Sequence, residues 1–256
     1  MRALAGHGAR LLPPAFGFLC FVSFVILVEG LLRVGLLNRF IVPLPTEVMG
    51  SFARLFGEEH LMTRFLTTLR ECLYAMIALA LIGIPTGTLL YQVPLLRKAT
   101  ETWISALASA PIVLMYPLFM VIFGRSAATI IVMGVIAGLP PLILKTIEGL
   151  SGTRQSLINV GRSFRLTRLQ MITKIMLPAA LPTIFVGLRL GLIFALINIV
   201  GVEFLINFGG LGQLINDLAE RYDMPGMYAT IVFVVLVSVL FFFVTERLEQ
   251  WLRRMS

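Results

Sequence analysis

Residues 157–189 read LINVGRSFRLTRLQMITKIMLPAALPTIFVGLR. The first part is polar and basic, with Arg162, Arg165, Arg168 and Lys174. From Leu177-Pro178 onward the stretch is apolar except for Arg189. A soluble domain does not need a basic island that empties directly into a long apolar run. A helix entering a bilayer from a charged surface does. Proline is also well placed in a first helical turn, where its missing N–H has no intrahelical partner.

Outward from this stretch the pattern repeats. Apolar runs cover about 14–32, 65–91, 102–123, 127–146, 178–204 and 226–245. Each is near the length needed to cross a hydrocarbon core of about 30 Å. Hydrophobic residues make up 58% of the 256 residues and charged residues only 13%, too few to cover a soluble surface of this size. Mean hydropathy is +0.95. The expected fold is an all-α polytopic membrane protein with six spans in one domain, 1–256, interrupted by the island at about 148–177. Short alternating segments of the β-barrel kind are absent from the pattern. The first run starts near Ala15 and continues to Leu32. That is long for a signal peptide core, and no small-x-small cleavage site follows, so it reads as an uncleaved first span.

Six spans put both termini on one side. Arg2, Arg10, Arg97, Lys98, Lys145, the island and the C-terminal Arg253 and Arg254 then share that side. Arg33, Arg39, Arg54, Arg64, Arg125 and Arg221 fall on the other, among most of the acids. The positive-inside rule makes the first side cytoplasmic. The net charge of +8 is accounted for by this topology, without nucleic acid. Within the spans, Gly83 and Gly87 are spaced for close helix approach, and Pro85 predicts a kink between them. The third span, rich in Ala, Ser and Pro, is expected to be buried among helices. Gly134, Gly138 and Pro140 are expected to shape packing.

The island has Arg154, Arg162, Arg165, Arg168 and Lys174 against one acid, Glu148. Leu157, Val160, Phe164 and Leu169 recur at helical spacing and give it an apolar stripe. Three readings stay open on these features: an ordinary positive-inside loop, a helix docked in a partner's groove, and a segment lying on lipid.

The same region resembles the coupling loop of importer-type ABC transporter permeases. Their signature is Glu-Ala-Ala, three residues, Gly, and then a Leu-Pro pair. Here Asn159-Val160-Gly161 and Arg165 take those positions, followed by Leu177-Pro178. Asn159 stands where the family has an acid and Arg165 where it has a glycine. Residues 40–48 and 201–212, the latter with Gly201-Val202-Glu203-Phe204-Leu205 and Gly209-Gly210-Leu211-Gly212, resemble the subfamily for nitrate, sulfonate, taurine and bicarbonate. The resemblance covers about 38–251. It implies the six-helix type I importer arrangement in a bacterial inner membrane. It also implies a second copy of the chain, a cytoplasmic ATPase dimer and an extracytoplasmic solute-binding protein as partners, with membrane lipid around them. The coupling-loop residues carried over are Asn159, Val160, Gly161, Phe164, Arg165, Leu177 and Pro178. A glycine at position 165 would allow a tight turn. With Arg165 there, either the turn is built differently or its backbone is right-handed. Asn159 cannot form a charged pair but can cap or hydrogen-bond.

No enzyme is legible. There is no phosphate loop ending in Gly-Lys-Ser/Thr, no H-E-x-x-H and no nucleophile elbow. Cys20, Cys72, His7 and His60 form no metal-ligand pattern, and no cofactor is expected. Glu203, a carboxylate inside a span, reads either as a wet residue at the outer rim or as a lining of the translocation path or its gate. Arg189 either snorkels to the interface or assists an anionic solute. Residues 207–224 read as an outward segment, a contact for the solute-binding protein or a plain solvated loop. The competing functions are a secondary transporter, which should show two matched halves, and a structural membrane protein whose basic loop binds a partner.

Overall fold

The computed structural model describes residues 5–255, with side chains for 16–247 and Gln250. Arg2 lies outside the described residues, as do the side chains of His7, Arg10, Glu249, Arg253 and Arg254. The order is α1 (Ala5–Arg33), α2 (Pro45–Gly57), α3 (Leu61–Gln92), α4 (Pro94–Ser109), a 3-10 turn (Ile112–Met115), α5 (Tyr116–Phe123), α6 (Ala127–Ser151), α7 (Gln155–Ser163), α8 (Arg168–Met171), a π turn (Ile172–Met176), α9 (Leu177–Ile206), α10 (Gly210–Glu220) and α11 (Met224–Met255). Proline sits in the first turn of α2, α4, α5 and α9, where it removes no intrahelical bond.

Among the described residues, five helices are long and apolar enough to cross a membrane: Phe16–Arg33, Leu61–Gln92, Ala127–Ser151, Arg168–Ile206 and Met224–Arg247. The sixth crossing exists only if the bent pair Pro94–Ser109 and Ile112–Phe123 counts as one. The two halves meet at 90°. Ala110, ahead of Pro111, is extended at ψ 136, as steric conflict with a following proline ring dictates. The expectation of a buried third span is therefore corrected. Neither α4 nor α5 fully buries a residue within the chain; Ile112 between them is buried in the core, and Tyr116, Phe119 and Met120 of α5 pack against it half-buried.

The core is built on α6 and α9, with α3 laid against both. Between apolar helices and apolar lipid there is no hydrophobic gain in association, so close packing must supply the attraction. Glycine permits it. A Cβ on Gly138 would sit 2.5 Å from the Gly191 carbonyl oxygen, and one on Gly191 would sit 2.7 Å from that of Gly138. The backbones of α6 and α9 touch at this level. One turn-pair away, added Cβ atoms at Gly83 and Gly87 would fall 2.6 Å from Leu142 and Thr146 of α6. The small-residue pair in α3 thus acts as its spacing predicts, and α3 continues through Pro85 as one helix.

Helix α2 begins at Pro45, and its buried Val48 and Leu55 join a second cluster with Leu211, Leu214 and Leu218 of α10. Glu29 ties α1 to it, accepting hydrogen bonds from Arg33 at 2.7 Å and from the Thr46 hydroxyl at 2.9 Å.

Candidate functional site: a surface loop and a folded-back hairpin at opposite ends of one helix

Helix α9 carries the island at its start and residues 207–224 at its end. Its 30 residues span about 45 Å at 1.5 Å per residue.

At the first end, α7 presents three different faces. Leu157, Val160 and Phe164 point outward with 40%, 51% and 76% of their surface exposed. Gly161 is buried against the π turn, where a Cβ would lie 2.6 Å from Ile175 Cδ1 and 2.7 Å from Met171 Cε. Ile158 and Arg162 line a cavity shared with the α3–α4 junction. Asn159 is exposed, its side-chain oxygen accepting from Gln155 Nε2 at 3.2 Å. Leu177 is half-buried and Pro178 exposed as α9 begins.

Helix α7 ends in a Schellman motif. The Leu166 N–H donates to the Gly161 carbonyl at 3.1 Å, and the Arg165 N–H to that of Arg162 at 2.9 Å. The motif needs a left-handed residue after the cap, and Arg165 supplies it at φ 52. Neither expectation for Arg165 holds. The turn is the glycine-type turn, and its backbone is left-handed despite a Cβ. The chain then restarts with a capping box. Thr167 Oγ1 accepts from the Gln170 N–H at 3.3 Å, while Gln170 Oε1 accepts from the Thr167 N–H at 3.0 Å. Cap, box and glycine contact fix α7 to the root of α9.

At the far end, Asn207 stops α9 at φ 51, and Gly209 and Gly210, both at positive φ, turn the chain back. Residues 207–224 are not a plain solvated loop. Helix α10 buries Leu211, Leu214 and Leu218 against α2, α3 and α11. Glu203 is 0% exposed, so the wet-rim reading is corrected. Its carboxylate accepts from Thr68 Oγ1 at 2.7 Å and from the Gly212 N–H at 2.8 Å, while Thr68 Oγ1 in turn accepts from the Leu211 N–H at 2.9 Å. A helix N-terminus, with its free N–H groups and positive dipole end, is thereby seated on a buried carboxylate. The Gly-Gly-Leu-Gly sequence makes room. A Cβ on Gly210 would overlap the Glu203 carboxylate, and one on Gly212 would lie 2.7 Å from Glu203 Cβ and from the Phe204 nitrogen.

Glu71, one turn below Thr68, is 1% exposed and borders the Glu203 carboxylate. The two carboxyl groups share a hydrogen bond, so the buried pair holds a proton between them. Sequence reasoning missed Thr68 and Glu71 as partners of Glu203. The hairpin is also pinned from outside. Arg64 pairs with Asp217 at 3.2 Å, Arg221 with Glu59 at 2.7 Å, and Arg54 with Asp223. The Glu59 carboxylate holds the Arg221 guanidinium above its ordinary value. Arg125 donates to the Asn207 carbonyl.

Arg189 is not part of this cluster. It lies 14 residues before Glu203, about 21 Å along α9, with its guanidinium carbon 5.2 Å from the centre of the Phe242 ring. That is cation–π range. The two sequence-derived path residues therefore occupy different levels and are not brought together. Among the described residues no group of His, Cys, Asp and Glu is placed to hold a metal ion.

This architecture is found in solved structures. The inward-facing MetNI methionine ABC transporter contains a chain that aligns with a TM-score of 0.65 at 23% identity, over 75% of this chain and 96% of that one. In sequence, the chain is 32% identical over 192 residues to the glycine betaine/proline betaine transport system permease protein ProW of Escherichia coli (strain K12). The match takes in 75% of this chain but 52% of that protein, so the chain spans about half the length of that relative. It is 25% identical over 210 residues to the taurine transport system permease protein TauC of the same organism, covering 80% of this chain and 76% of that one. Residues 79–254, well over half of the chain, match the family described as binding-protein-dependent transport system inner membrane component, and the chain belongs to that family.

Proposed function

We propose that the chain is the permease subunit of an ATP-driven ABC importer for a small anionic solute such as a sulfonate, taurine or nitrate. Two copies form the path, a pair of ATP-binding subunits grips the island, and a solute-binding protein delivers to the opposite face. The island and both termini are cytoplasmic. The chain itself is the non-catalytic membrane component, and ATP hydrolysis belongs to the separate subunit.

The observation that carries this reading is the outward face of α7. Phe164 is 76% exposed in a basic loop closed by backbone hydrogen bonds on both sides. An exposed aromatic on a rigid element outside the apolar spans suits a pocket on a partner. Asn159, Val160, Gly161, Phe164, Arg165, Leu177 and Pro178 then act in two groups. Val160, Phe164 and Arg165 face the partner. Gly161, Leu177 and Pro178 transmit its motion into α9, and Asn159 braces α7 through Gln155. At the other end, Glu203 serves a gate by holding the hairpin, and Arg189 faces the solute path at the level of Phe242.

Recovery of the cognate ATPase on immobilised permease tests the docking face. Phe164→Asp should lower recovery at least tenfold, and undiminished recovery would count against this face. A second solute reading, a zwitterionic betaine, is favoured by the similarity to ProW. Titration of the partner solute-binding protein with taurine and with glycine betaine separates the two.

A further inference from the structure

The third face of α7 opens on a cavity of about 660 Å³ between the α3–α4 junction, α7 and the root of α9. Its wall joins three arginines, Arg97, Arg162 and Arg168, to the apolar side chains of Leu166, Met171 and Met176. Arg97 is engaged, donating to Glu101 at 3.0 Å and to Ser151 Oγ at 3.5 Å. Arg162 and Arg168 pair with no acid among the described residues. Two guanidinium groups without counter-charge on one concave wall repel each other and favour an anion between them. Their planar forks match the oxygens of a phosphate, to which each can donate two parallel hydrogen bonds. The apolar part of the wall is not needed for a bare anion. It suits an anion joined to hydrocarbon. The cavity also lies where α3 leaves its apolar span and α9 enters one, so a lipid can reach it from the bilayer surface.

We propose that this cavity binds a phosphate-bearing anion, the phosphate between Arg162 and Arg168 and its apolar remainder on Leu166, Met171 and Met176. The basic pocket between membrane helices is the setting in which anionic lipid headgroups are recognised. The ligand would touch α7 and the root of α9 at once, and so bias the position of the loop. The proposal does not depend on which partner grips the outward face of α7.

The experiment is calorimetric titration of the full chain, purified in a neutral detergent, with short-chain phosphatidylglycerol, phosphatidylcholine of the same chain length, and inorganic phosphate. Phosphatidylglycerol should bind once per chain and at least tenfold tighter than phosphatidylcholine. Arg162→Gln with Arg168→Gln should weaken it at least tenfold. Arg154→Gln with Lys174→Gln removes the same charge from the island but outside the cavity, and should leave it unchanged. Inorganic phosphate that binds with the same arginine dependence supports the anion site and assigns its ligand to the soluble pool if phosphatidylglycerol gains nothing over it. Equal binding of the two lipids without arginine-dependent phosphate binding overturns the proposal, as does wild-type affinity for both anions in the cavity double variant.

Discussion

At Arg165 a left-handed backbone meets a side chain that does not favour it. Glycine has no Cβ to clash there, whereas other L-residues lose roughly 1–2 kcal/mol. Arg165→Gly should therefore raise the stability of the detergent-solubilised chain by about 1 kcal/mol, read as a later midpoint in a denaturant titration. If the guanidinium also contacts the ATPase, the same variant should bind that subunit more weakly while being more stable. A midpoint that moves earlier would show that the strain argument is wrong. The position was legible in the sequence as a departure from a signature. Its conformation was not, because the spacing of the turn is the same whichever residue fills it. Only the hydrogen bonds from Arg165 and Leu166 back to Arg162 and Gly161 decide the matter.

Among the elements, α10 was the least legible. Its glycines and the polar Asn216, Asp217 and Glu220 read as a loop. Yet Leu211, Leu214 and Leu218 stand at i, i+3 and i+7, the signal of one apolar helical face. Glu71, ten residues into α3, reads as interfacial until α10 is seen to fold over it. Its meeting with Glu203 across 132 positions has no local signature. The break at Ala110-Pro111 was legible as proline, but the 90° bend belongs to tertiary packing. By contrast, Gly83, Gly87 and Gly138 act at the helix crossings where small-residue spacing put them. The hairpin carries its own test. Glu203→Ala strips the acceptor from the Gly212 N–H and the Thr68 hydroxyl in a buried place, a loss of about 1–3 kcal/mol. Amide hydrogen exchange at Leu211 and Gly212 should speed up roughly ten- to hundredfold, while exchange along α7 stays as it was. Equal protection in variant and parent would mean that the carboxylate does not hold α10.

For the whole molecule, one helix joins the two ends. The loop is fixed to the root of α9 by Gly161 and the capping box, and Glu203 near its tip holds the hairpin. A force on α7 is thus applied to the base of a stiff rod whose other end carries the folded-back segment. Close backbone contact at Gly138 and Gly191 gives that rod a crossing point on α6. The central claim is that the ATPase grips Phe164. The direct measurement replaces Phe164 with the photoreactive benzoylphenylalanine in cells that make the complete transport system, followed by irradiation of the intact membrane. The account predicts an adduct between this chain and the ATP-binding subunit. The same probe at Tyr222, 84% exposed at the far end, should yield none. An ATP-binding subunit captured from Tyr222 and not from Phe164 would contradict it.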